Sequence, residues 1–111
     1  MKASIKSALA RLPGLPTARY PQGAPFTTVM AGGTVRVEVF APSGVDAQTP
    51  HAQDELYFVH CGTGEIVING QRCDAAAGDA FFVAAGVAHH FENLSTDFVT
   101  WVVFYGPQGG E

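Results

Sequence analysis

The chain is 111 residues long, enough for one domain with a real core and too short for two. Hydrophobic residues make up 47% and charged residues 14%, which excludes a disordered tail, a coiled coil or a collagen-like rod. The formal charge of −4 argues against a nucleic-acid partner, which would require a basic face for the phosphates.

Charge is unevenly distributed. Up to Val37 the chain holds Lys2, Lys6, Arg11, Arg19 and Arg36 and no acid; the first carboxylate is Glu38. The apolar stretch near Ala8–Leu12 is too short and broken for a secretory signal, though an organellar transit peptide would share its basic character. Ile5, Leu9 and Leu12 are spaced to share one face of a short N-terminal helix. Leu12 to Pro25 is rich in proline and glycine and reads as an extended connector, so residues 1–25 form a helix and connector ahead of a domain at 26–111. No run approaches the roughly 18 apolar residues of a membrane span. Cys61 and Cys73 are too few for a disulfide scaffold and are not spaced as a zinc knuckle. They read as reduced thiols of a cytoplasmic protein.

From Pro25 onward, thirteen glycines and seven prolines across the whole chain punctuate short strand-like runs. Val35, Val37 and Val39 alternate with Arg36 and Glu38, which predicts a strand with its valines on the core and the charges outside. Further strands are expected at Leu56–His60, Glu65–Asn69, Gln71–Asp74, Ala80–Val83 and Phe98–Tyr105, with another starting at His89. Asn69-Gly70 is a type I′ hairpin signal. Many short strands at this spacing imply an all-β sandwich or closed barrel. The last run is apolar on both alternations and needs cover on both faces. One face fills the barrel, and the other calls for the N-terminal segment or a second subunit, hence an expected homodimer.

The histidines at positions 51, 60, 89 and 90 raise the question of convergence with a carboxylate. His51 and Glu55 share a parity with Thr49, Gln53 and Tyr57, while Asp54 points the other way. Two imidazoles and one carboxylate on rigid strands make a facial metal triad with open positions. Tyr57 is placed to line the pocket and offer its phenol as an acid or hydrogen-bond donor, although a plain core role fits equally.

The stretch GDAFFVAAGVAHHFEN, residues 78–93, resembles the second motif of the cupins, G-x5-P-x-G-x2-H-x3-N, with Ala84 in place of the proline. Residues 44–62, GVDAQTPHAQDELYFVHCG, are similar to the first cupin motif, where H-x-H precedes a glutamate and then a glycine. The resemblance spans roughly residues 34 to 105 and implies a cupin jelly-roll barrel, an antiparallel β-sandwich, with a metal inside. It places metal ligands at His51, Glu55 and His89. The motif's first histidine falls on Thr49, a poor ligand, and Gln53 has the parity to supply a fourth, weaker oxygen. One divalent transition metal per chain is implied, Fe, Mn, Ni, Co or Zn. The resemblance admits a metal-dependent oxygenase, isomerase, lyase or cyclase acting on a small organic molecule, and also a non-catalytic ligand-binding barrel. Because neither motif contains Arg or Lys and Arg36 is expected outside, an apolar or aromatic substrate is favoured over a phosphorylated one.

Overall fold

A computed structural model describes residues 1–44, 46 and 48–111. After a one-turn helix, α1 (Ile5–Leu9), come eight strands: β1 (Phe26–Gly32), β2 (Val35–Phe40), β3 (Asp54–Cys61), β4 (Thr63–Ile68), β5 (Gln71–Ala76), β6 (Ala80–Val83), β7 (His89–Glu92) and β8 (Val99–Tyr105). They form a five-stranded sheet in the order β1-β2-β8-β3-β6 and a three-stranded sheet in the order β5-β4-β7, with every strand pair antiparallel. This is the all-β jelly roll expected from the sequence. Among the described residues, no helix is long and apolar enough to cross a membrane.

Local chemistry accounts for the junctions. Ser4 caps α1 by accepting a hydrogen bond from the Ser7 N–H at 3.2 Å. The β4–β5 hairpin turns on Asn69 and Gly70, at φ 49° and 80°, the left-handed pair that a type I′ turn requires.

Between the sheets lies a core of Phe40, Tyr57, Val59, Ile66, Val83, Phe91, Phe98, Val102 and Phe104. A second, smaller cluster lies outside, where Ala8 of α1 packs on Val39 and Val99 with Val29 and Trp101 around them. The doubly apolar β8 is explained by these two clusters. Thr100, Val102 and Phe104 are buried inside, while Val99 and Trp101 support α1 on the outer face.

β2 corrects the sequence reading. Directly opposed residues of an antiparallel pair share a face. Arg36 pairs with Phe104 and Glu38 with Val102, so the charged side chains face the barrel interior along with Phe40. The valines face out: Val39 is fully buried under α1, and Val35 is exposed. Strict alternation marks two faces without saying which is the inside, and here the outer face also has apolar cover. Phe82 and Trp101 lie on that outer face as well; Phe82 is 52% exposed.

Candidate metal centre

The site sits at one end of the barrel, where β3, β7 and the loop before β3 meet. Along β3, Glu55 and Tyr57 alternate inward with Val59, opposite Phe104 and Val102 of β8. His51 precedes β3 and is anchored through its carbonyl, which accepts from the Gly86 N–H at 2.8 Å. Gly86 has φ 78° and ends the turn that leads to His89 at the start of β7.

Glu55 Oε1 lies between the two imidazoles, 3.0 Å from His51 Nδ1 and 2.8 Å from His89 Nε2. The three donor atoms all fall within 4.8 Å of one another. His89 Nδ1 lies 2.9 Å from the Val87 carbonyl, which can only accept, so that nitrogen carries a proton and Nε2 is turned to the cluster. Gln48 Oε1 stands 3.0 Å from the same Nε2. The hydroxyl of Tyr57 donates to Gln48 Oε1 at 3.0 Å.

Asp46 sets the orientation of Gln48. Its carboxylate accepts from the Gln48 side-chain NH2 at 2.5 Å and from the Gln48 backbone N–H at 3.1 Å. The Phe91 N–H, 2.8 Å away, holds the carboxylate in turn. With its NH2 on Asp46, Gln48 must present its oxygen to the site. Gln48 escaped the sequence reading because it has the wrong parity relative to Glu55 and lies in a loop, where strand alternation does not apply. The usable signal was its proximity to Thr49, the position where the motif has a histidine.

Of the residues singled out from the sequence, His51, Glu55, His89 and Tyr57 converge. Gln53 does not: its NH2 donates to the carbonyls of Thr34 and Gly106, at 3.0 and 2.9 Å, and ties the turn before β2 to the C-terminal tail. Parity failed there because the chain before Asp54 is not strand. Thr49 is exposed at the cavity mouth, with its Oγ1 accepting from Arg19 Nη1 at 3.4 Å. Asp54 points away from the site, as expected, yet is buried. It accepts from the N–H groups of Ala85 and Glu111. His90 faces outward and pairs with Glu92 at 2.7 Å.

The electrostatics suit a cation. Burial alone would raise the Glu55 pKa, but bonds to His51 and His89 outweigh it and hold the carboxyl below its ordinary range. Burial would lower the His89 pKa, but the bonds to Glu55 and Val87 prevail and raise it. Tyr57 is pushed well above the usual phenol range, first by burial and then by the Glu55 charge, so it stays protonated. One atom is left over: Glu55 Oε2 is buried without a hydrogen-bond partner among the described residues. An orphaned carboxylate oxygen is costly unless a cation compensates it. Donor separations near 3 Å are those of neighbouring donors around one ion bound at about 2.1 Å. The residues therefore fit a divalent metal, with His51, Glu55 and His89 as the N and O donors and Gln48 Oε1 as a fourth oxygen.

Above this cluster opens a cavity of about 320 Å3. Its walls include Phe26, Phe40, Val102 and Phe104; Gln48, His51 and Tyr57 form the floor, and Arg19, Arg36, Glu38 and Thr49 are among the polar residues of the lining.

A two-sheet jelly roll with histidines and a glutamate converging inside the barrel defines a cupin-type protein. The family model for the cupin domain matches residues 36–105, and the chain belongs to that family. An uncharacterised protein of Streptomyces coelicolor is 44% identical over 63 residues, which cover 57% of this chain and 60% of the relative. Among solved structures, KdgF from a Halomonas species superposes with a TM-score of 0.65 at 20% identity, covering 75% of this chain and 78% of that one. The DMSP lyase DddQ of Ruegeria pomeroyi gives 0.64 at 21% identity, over 73% of this chain and 46% of that one. An RmlC-like cupin of Shewanella frigidimarina gives 0.63 at 15% identity, over 74% and 75%. At these identities the likeness concerns the fold.

Proposed function

We propose that the protein is a metal-dependent enzyme that transforms a small organic molecule inside the barrel, with one divalent transition metal per chain on His51, Glu55 and His89. The second oxygen of Glu55, buried beside His51 and His89 with no hydrogen-bond partner among the described residues, beneath a cavity floor that includes His51, carries this reading. Such a metal supplies Lewis acidity or a site for dioxygen, and a set of two histidines and one carboxylate leaves positions for substrate. The chain's own residues do the rest. Tyr57 keeps its proton and fixes Gln48 from one side while Asp46 fixes it from the other. Phe40, Val102 and Phe104 give the wall above an apolar surface. Membership of a family with lyase neighbours such as DddQ supports an enzyme without naming the reaction.

A second reading, a non-catalytic barrel that binds a small ligand, draws on Thr49, which withholds the histidine that the first motif usually supplies. Elemental analysis by plasma mass spectrometry of freshly purified, untagged protein, followed by reconstitution, separates the two. About one equivalent of metal per chain, with water exchanging on the Mn(II)-loaded protein by proton relaxation, supports the enzyme. Absence of metal even after reconstitution would leave the ligand-binding barrel.

A further inference from the structure

The mouth of the cavity places positive charge inside an acidic protein. Arg19 and Arg36 both line it, although the chain as a whole carries −4. Arg36 donates through Nε to Glu38 at 3.0 Å, and its guanidinium carbon lies 4.4 Å from the centroid of the Phe104 ring. That leaves both Nη groups of Arg36 without an acceptor among the described residues. The same Phe104 ring lies 4.8 Å from the His51 imidazole. From His51 to the Arg36 guanidinium is therefore no farther than those two distances laid end to end, and the path runs over an aromatic face.

The charge balance at the mouth limits what can bind. Arg36 and Glu38 neutralise each other, and Arg19 has no carboxylate within ion-pair range among the described residues. One positive charge is in surplus. That suits a monoanion better than a phosphate dianion, which Glu38 would repel. A planar carboxylate also matches the free fork of a guanidinium. The apolar walls and small volume call for a single ring or short chain as the body of the ligand.

We propose that the barrel takes a small organic monocarboxylate. Its acid group binds at Arg36 and Arg19, its apolar body lies against Phe104, and its far end reaches the His51–Glu55–His89 group. This rests on the reading of that group as the reactive centre and names the substrate class for it. It departs from the expectation from sequence that Arg36 faces outward, while keeping the preference for an apolar or aromatic body over a phosphorylated one.

The test uses benzoate, 3-phenylpropionate and hexanoate against their primary amides, measured by calorimetry and saturation-transfer NMR on metal-loaded and metal-stripped full-length protein. The acids are expected to bind at least about tenfold more tightly than the amides in both forms. Arg36→Gln and Arg19→Gln should each abolish most of that preference, and Arg36→Lys should retain part of it, all with unchanged metal content and circular dichroism. His51→Ala should lose metal and keep the preference, so failure of the metal assignment is read separately. An acid preference that persists in both glutamine variants and disappears on stripping the metal would put the carboxylate on the ion and overturn the proposal. Equal binding of acids and amides, or no binding at all, would overturn it as well.

Discussion

Gln48 Oε1 and His89 Nε2 stand 3.0 Å apart, and each is fixed from behind: Gln48 by Asp46, His89 by the Val87 carbonyl. Once Nε2 gives up its proton, it and Oε1 are two acceptors aimed at one point, an arrangement that a cation satisfies. Such supporting carboxylates typically account for about 10–100-fold in metal affinity. Gln48→Ala and Asp46→Ala are each expected to weaken metal binding by that factor, measured by competition with a chelating dye. The d–d spectrum of the Co(II) form should change in Gln48→Ala. An unaltered affinity and spectrum in Gln48→Ala would remove Gln48 from the coordination sphere.

His51→Ala and His89→Ala should each lose the metal while the barrel stays folded: His51 is part-exposed, and removing the buried His89 imidazole leaves the hydrophobic cluster between the sheets in place. Stoichiometric metal in both purified variants would sink the ligand assignment.

Glu55 predicts how metal couples to stability. Its orphaned oxygen destabilises the metal-free protein, and a bound ion removes that penalty. At a metal concentration 100 times Kd, the gain is about 2.7 kcal/mol. In a domain of this size that moves Tm by more than about 10 °C. Differential scanning calorimetry should show this shift in the native protein and not in Glu55→Gln. A shift of equal size in the variant would mean that the ion binds elsewhere.

Asp54 separates structure from chemistry within a single step of β3. It accepts from Ala85 N at 2.9 Å and from Glu111 N at 3.2 Å, joining the turn before β7 to the C-terminus. Gly110 packs so closely that a Cβ there would meet Asp54 Oδ1 at 2.8 Å. Asp54→Ala strands these donors and is expected to cost about 1–3 kcal/mol in urea denaturation. Metal stoichiometry should be unchanged, because the carboxylate faces away from His51 and His89. Loss of metal at full stability would reverse that assignment.

The sequence was legible where one local rule governed. Asn69-Gly70 specified its hairpin, and the parity of Glu55 and Tyr57 held because both lie inside β3. It misled where the same rule was extended beyond its element. Gln53 shares the parity of Glu55 but sits before the strand begins, and its amide turns to Thr34 and Gly106. Gln48 reaches the site through a loop whose course depends on Asp46 finding the Phe91 N–H across 45 residues of sequence. In β2 the valines and charges alternated as read, but the covering helix reversed which face was inside, and with it the character of the pocket mouth.

The homodimer expected from the sequence would use the outer face of the five-stranded sheet. Beyond the reach of α1, Leu56, Phe58, Phe82 and Val103 lie side by side on paired strands, with Phe58 43% and Phe82 52% exposed. These four residues carry no charge, which suits a copy presenting the same apolar surface better than a charged partner. Large contiguous apolar patches are where proteins associate. The protein is expected to elute as a dimer in size-exclusion chromatography with light scattering, and Phe82→Glu should yield a monomer at the same loading. Metal content should be preserved, because Phe82 points away from the barrel interior. A native protein that remains monomeric at high micromolar concentration would leave this face without a second copy, and Phe82→Glu would then change solubility alone.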